Sequence, residues 1–184
     1  MMVTHEPHYT ALGRMLVVFQ SMETTLRQGL TLLLHKDLGT PSGQLGYASI
    51  SELSFASASR LASLVPSIFT FERIGASSSV GEARLRDELI DCANQLVQGL
   101  KLANDAEQRR NQLVHSHWFI GPGIVNAPET LTRVKIKVKA RNLTVQFEAE
   151  TIAGVTEVTE KVEEAQRLIF HALLNFRMAA EHNW

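Results

Sequence analysis

Apolar side chains recur every three or four positions through most of this chain, and the pattern gives way to strict alternation in only one block. Leu12, Leu16, Phe19, Met22, Leu26, Leu30 and Leu33 set the first stripe. That period predicts an amphipathic helix from Tyr9 to about His35, with Pro7 just ahead of it at a place helices tolerate. Gly39-Thr40-Pro41-Ser42-Gly43 reads as the loop that ends it. A second helix is expected from Ser51 to about Leu64, with Ser51 as N-cap and Leu53, Ala56, Leu61 and Leu64 as its apolar set. Pro66 should interrupt the helix or kink the residues after it, and Ile68 to Phe71 fits either a helical turn or a buried extended piece. Gly75 to Gly81 is a loop of small residues without the spacing of a phosphate-binding loop.

A third helix is expected from Glu82 to about Ala103, striped by Leu85, Leu89, Ala93, Leu96, Leu100 and Ala103 and widened by Ile90 and Val97. Beyond it the sequence leaves two readings. Either Asn104 or Asp105 breaks the helix and caps a short fourth one, or one helix runs on to Val114. Gly121-Pro122-Gly123 is a firm stop. The last helix is expected from Thr156 to about His182. Its acidic start (Glu157, Glu160, Glu163, Glu164) and later Arg167, Arg177 and His182 suit the helix dipole. Val158, Val162, Ala165, Ile169, Ala172, Leu173, Phe176 and Ala180 form its core face, and His171 reads as a partly buried helix residue.

The alternating block runs from Thr132 to Thr151 and predicts a β-hairpin. Arg133, Lys135, Lys137, Lys139 and Arg141 share one face of the first strand, and Val134, Ile136, Val138 and Ala140 share the other. With the turn at Arg141-Asn142, Val138 faces Val145, Ile136 faces Phe147, Lys135 faces Glu148 and Arg133 faces Glu150. This gives an apolar face for the bundle and a charged face for solvent. Lys137, Lys139 and Arg141 are left near the tip, either to contact phosphate or to discourage edge pairing. The expected architecture is therefore all-α, a bundle of four or five helices in one domain, with a hairpin inserted at about 132–151.

Composition narrows the function. A formal net charge of −1 gives no global basic footprint, so contact with nucleic acid must come from a local patch. A single cysteine, Cys92, cannot form an internal disulfide and fits a reducing cytoplasm. Met1 to Thr10 lacks a basic stretch followed by an apolar core, and the apolar run from Ala11 to Leu34 is broken by Arg14, Glu23 and Arg27, which argues against a membrane span. His115-x-His117 could supply two metal ligands with His171 or Glu23 as a third, but there is no His-Glu-x-x-His, no Cys pair and no recognised ligand spacing; no Ser sits in a nucleophile elbow, and there is no dinucleotide fingerprint.

The densest chemistry lies in Glu107-Gln108-Arg109-Arg110-Asn111-Gln112-Leu113-Val114-His115-Ser116-His117-Trp118. An imidazole titrates near neutrality and moves protons, and a guanidinium fork fits phosphate oxygens. Asn111 and His115 are i,i+4 and share a helix face, whereas Arg110 and His115 lie about 140° apart after a full turn. The same residues also suit a helix end that is simply solvated and capped by Arg and His. Glu23 is either a carboxylate that orients Arg110 or His115, or a residue at the edge of the core. Trp118 either packs on the bundle or stacks a base.

Arg110-Asn111-x-x-x-His115 resembles the Arg-x4–6-His signature of the HEPN superfamily, in which a polar residue often follows the arginine. The resemblance covers most of the chain in helix order, and this short segment carries its specificity. It implies a helical bundle that dimerises, and a metal-independent endoribonuclease whose two motifs face each other across the dimer. His115 would act as general base or acid on the 2′-hydroxyl. Arg110 would stabilise the pentacovalent phosphate, and Asn111 would orient substrate or His115. Arg109 also satisfies the spacing. Where some toxin members carry a Tyr two residues after the His, this chain has His117. RNA is the implied substrate, a second copy the implied partner, and an antitoxin or regulatory protein a further one. No cofactor is implied. Since several branches of the superfamily bind without cutting, a non-catalytic interaction module is the alternative.

Overall fold

The computed structural model describes residues 6–35, 39–71, 80–119, 130–139 and 142–181. Among these residues, five helices and a three-stranded antiparallel sheet run in the order α1 (Glu6–Leu34), α2 (Pro41–Ser51), α3 (Phe55–Phe71), α4 (Val80–Val114), β1 (His117–Phe119), β2 (Thr130–Lys139), β3 (Asn142–Thr151) and α5 (Ile152–Glu181). The expected helical bundle with an inserted hairpin is what the chain forms.

Helix α5 is the centre of the bundle, packed on α1 along one flank and on α4 along the other. Its partners run in opposite senses. Arg14 meets Glu163 and Ser21 meets Gln166, so α1 is parallel to α5. Gly99 lies against Ala165, Leu168 and Ile169, while Cys92 meets Asn175 further on, so α4 is antiparallel. A Cβ on Gly99 would sit 3.2 Å from the Ala165 carbonyl oxygen, so a glycine lets the two helices approach closely here. Phe19, Met15, Met22, Leu26, Leu30, Leu96, Leu113, Ile169 and Phe176 fill the core. Each such side chain contributes about 1.5–3 kcal/mol by leaving water. Cys92 is buried there, and burial pushes its thiol up, so it holds little thiolate.

Several boundaries differ from those expected. The segment Gly39–Gly43, expected as a loop, contains the start of α2. Thr40 has extended backbone and accepts from the Gly43 amide at 3.1 Å, and Pro41 occupies the first turn. Ser51 ends α2 and does not cap α3. Ser54 does that, accepting from the Ser57 amide at 3.2 Å. The buried set of α3 is Phe55, Ala58, Ala62 and Val65, with Leu64 exposed, and the helix runs through Pro66 to Phe71. Packing of Ala62 and Val65 outweighs the hydrogen bond that proline forgoes. Helix α4 is continuous to Val114. Asn104 does not break it because its side chain reaches the Ser59 hydroxyl of α3, at 3.3 Å, while Ala103, Ala106 and Leu113 carry the stripe onward. Ile90, Val97 and His171 are exposed. The stop at Gly121-Pro122-Gly123, most of the Gly75–Gly81 loop, and Arg141 lie outside the described residues.

The hairpin forms, with its register two residues from the expected one. Lys139 pairs with Asn142, so Val138 faces Leu143, Ile136 faces Val145, Val134 faces Phe147 and Arg133 faces Glu148. A shift of two keeps every side chain on its face. Burial is what departs from expectation. Leu131, Thr132, Arg133 and Glu150 are buried at the root, while Ile136, Leu143, Val145 and Phe147 are exposed. The apolar face does not lie on the bundle. The hairpin is an arm fixed at its root and projecting beyond it. Thr151 ends the arm and caps α5, accepting from the Gly154 amide at 3.0 Å. Thr151→Ala should cost about 1 kcal/mol, read as a lower midpoint in thermal unfolding.

Candidate active site at the end of α4

The last turns of α4 present Arg109 and Arg110 about 100° apart, so the two arginines meet different neighbours. Arg109 faces the root of the arm. Its Nη2 donates to Glu150 Oε1 at 2.9 Å and Oε2 at 2.6 Å, and its Nη1 donates to Gln112 Oε1 at 3.3 Å. Glu150 is only 4 % exposed, and its carboxylate lies over the first turn of α5, where a Cβ on Gly154 would come within 2.7 Å of Oε1. Helix N-termini favour anions, so α5 and Arg109 hold the same carboxylate. Beside this pair, Arg133 is equally buried. It is paired with Glu148 and donates from Nη1 to the Gln112 carbonyl at 3.3 Å. One ion pair, Arg109–Glu150, and the hydrogen bond from Arg133 to the Gln112 carbonyl thus fasten the arm to the end of α4.

Arg110 turns toward α1. Its guanidinium lies 4.2 Å over the centre of the Phe19 ring, and its Nη2 donates to Asn111 Oδ1 at 2.7 Å. Its buried Nε has no hydrogen-bond partner, and no carboxylate among the described residues is within ion-pairing distance. Of the two arginines that satisfy the motif spacing, Arg109 is neutralised and Arg110 is not. The Asn111 side chain therefore holds Arg110.

His115 comes directly after the last residue of α4. Its amide donates to the Asn111 carbonyl at 3.0 Å, and its side chain is exposed. Because α4 stays helical to Val114, the 140° separation holds, and no hydrogen bond or ring contact joins Arg110 to His115 within one chain. Ser116 donates from its hydroxyl to the Gln112 carbonyl, closing the helix end. His117 is exposed in β1. Trp118 packs against the core and donates from Nε1 to the Leu113 carbonyl at 3.0 Å, so its ring is taken up in packing. Glu23 does not reach the motif arginines. It pairs with Arg27 one turn on, at 3.6 Å, and Arg27 also donates to the Leu53 carbonyl at 3.2 Å.

Lys137 and Lys139 lie in β2 opposite Thr144 and Asn142, well along the arm from the motif. Among the described residues, no group of three His, Cys, Asp or Glu side chains is placed to hold a metal ion, and no helix is long and apolar enough to cross a membrane. Two residues that matter here are not among those expected at the site. They are Phe19, the platform for Arg110, and Glu150, the partner of Arg109. Nothing local in the sequence marks Phe19, which looks like any core position of its stripe. No family model, curated protein or solved structure gives a match to this chain.

Proposed function

We propose that the chain is a metal-independent endoribonuclease acting on single-stranded or looped RNA, through a site completed across a homodimer. The observation that carries this reading is the uncompensated charge of Arg110. A half-buried guanidinium without a carboxylate costs free energy, which the Phe19 ring beneath it only partly offsets. A phosphate would supply the missing charge, and the fork geometry suits it. The exposed imidazole of His115 is available for the proton transfer on the 2′-hydroxyl. Since the two groups do not meet within a chain, His115 of one copy would serve the phosphate held by Arg110 of the other. In this scheme Lys137, Lys139 and Arg141 guide the RNA strand, the compartment is the cytoplasm, and an antitoxin or regulatory protein is a further partner.

The test is cleavage of a mixed tRNA and mRNA pool in EDTA. Wild type should cut and leave 2′,3′-cyclic phosphate ends. His115→Ala and Arg110→Ala should each lower the rate by at least about 100-fold, the lower end of what one general acid–base group contributes, with helical circular dichroism unchanged. Cutting that persists in His115→Ala would sink the assignment. The second reading, a non-catalytic interaction module, is favoured by the arm, whose Ile136, Leu143, Val145 and Phe147 side chains are exposed.

A further inference from the structure

The arm and the first half of α1 each expose an apolar surface that the chain leaves uncovered. On the arm, Ile136 and Val145 are opposite one another, and Leu143 and Phe147 lie on the same face by alternation. Ile136, Leu143 and Phe147 are more than half exposed, and Val145 nearly so. A two-stranded ribbon wetted on both sides is marginal in water, so this arm needs a cover to hold its shape. The exposed apolar set carries no charge, so it offers nothing to phosphate and opposes no charge of its own kind in an identical copy.

On α1, Tyr9, Gly13, Leu16 and Val17 share one flank, with Val17 65 % and Tyr9 51 % exposed. Helical rotation puts Arg27 and Thr31 on the same flank, and there α1 is covered. Arg27 donates to the Leu53 carbonyl just after α2, and Thr31 is fully buried. In the first half the flank is bare. Gly13 sits in its middle with no atom within 4 Å of where a Cβ would lie. A glycine inside a helix costs about 1 kcal/mol relative to alanine, and nothing among the described residues requires it here. It leaves a depression between Tyr9 and Leu16 that can take a bulky side chain.

We propose that the partner for both surfaces is a second copy of this chain, the arm of each copy lying across the Tyr9–Val17 flank of the other. Such an exchange is reciprocal and closes on a two-fold axis. Area supports it. The seven exposed side chains, each roughly half exposed, bury on the order of 700 Å² per copy, close to the ~800 Å² per partner of a standard interface, whereas arm against arm alone reaches about half of that. The arm is rooted on Arg109 and Gln112, one residue either side of Arg110 and Asn111, and Phe19 lies one turn past Leu16. The exchange therefore brings the motif-bearing ends of the two copies together. The exchange rests on the same homodimer as the nuclease reading: a monomeric chain sinks both, whereas a dimer that survives the arm variant sinks the exchange alone.

The experiment is sedimentation velocity on the full chain at micromolar concentration. Wild type should sediment at twice the chain mass of 20.5 kDa. Val145→Lys/Phe147→Lys on the arm and Val17→Lys on α1 should each return the single-chain mass, with helical circular dichroism unchanged because all three side chains are exposed. Mixing Gly13→Cys chains with Phe147→Cys chains should allow a bismaleimide to join one of each. A monomeric wild type, or a dimer that survives the arm variant, overturns the proposal. Dissociation by the arm variant but not by Val17→Lys, or linkage of Gly13→Cys chains to each other alone, overturns the exchange geometry.

Discussion

Arg109→Ala should destabilise the fold by about 3–5 kcal/mol, the cost of leaving a buried charge without its partner. The charge in question is the Glu150 carboxylate, 4 % exposed, whose two oxygens both accept from the same arginine nitrogen. Glu150→Ala should cost less, since the Arg109 side chain is 34 % exposed and can turn to water. The double variant Arg109→Ala/Glu150→Gln should recover at least half of the loss, because the side chain that remains is neutral. Urea unfolding followed by helical circular dichroism measures all three, as shifts of the midpoint at constant slope. An Arg109→Ala chain within about 1 kcal/mol of wild type would show that the clasp does not fasten the arm. The experiment also separates the two motif arginines. Arg109 is a stability residue that ties α4 to the arm, and its loss should act on activity only through the fold. Arg110 has no ion pair, only its contact with Phe19 and its bond to Asn111, so its loss should act on activity while lowering stability by no more than about 2 kcal/mol.

The long stripes of α1, α4 and α5 are legible because a 3.6-residue period sustained over many turns admits one structure. Legibility fails where the stripe is made of small residues. The buried set of α3 is carried by Ala58 and Ala62, and alanine is as common outside a core as in it, so the larger Leu61 and Leu64 set the apparent phase although they lie on the rim. Helix α2 escapes a reading of the sequence because Thr40-Pro41 signals both a turn and a helix start, and only the Gly43 amide on the Thr40 hydroxyl distinguishes them. The hairpin shows a deeper limit. Alternation fixes which residues share a face, and a shift of two in register leaves that intact, but alternation does not say what the face meets. Assigning the apolar face to the bundle assumes that apolar surface is covered within its own chain. Arg133 and Glu150 depart in the other direction for a related reason. Each is charged, and each is buried beside a partner of opposite charge: Glu148 across the hairpin for Arg133, and for Glu150 the Arg109 of α4, which cannot be seen without the pairing of strand to helix. At the motif, the residue types are plain in the sequence, but Arg109 and Arg110 are equivalent there. Their 100° separation on α4, and the location of Glu150 on one side and Phe19 on the other, is what divides their roles.

Phe19 is the residue through which packing and the motif are joined. Its ring is fully buried, lies 5.4 Å from the Phe55 ring at a 59° tilt, and carries the Arg110 guanidinium at 4.2 Å. Phe19→Ala should lose about 3–5 kcal/mol, the transfer term plus a cavity at the centre of the bundle. That variant tests only the core. Phe19→Leu is the sharper one. It keeps most of the volume, so packing costs less than about 1.5 kcal/mol, with a further ~0.5–1.5 kcal/mol for the lost ring pair. What it also removes is the face on which Arg110 rests. A cycle of Phe19→Leu and Arg110→Met should therefore show a coupling of about 0.5–2 kcal/mol in unfolding free energy. If Arg110 holds the scissile phosphate, Phe19→Leu should also slow cleavage by up to about 100-fold, the effect of displacing a positioned group by roughly 1 Å, in a chain that still melts as a single cooperative unit. Phe19→Tyr keeps the platform, and any loss of rate it shows should be far smaller. Equal losses in Leu and Tyr variants would trace the effect to the crowded core and not to the guanidinium above it.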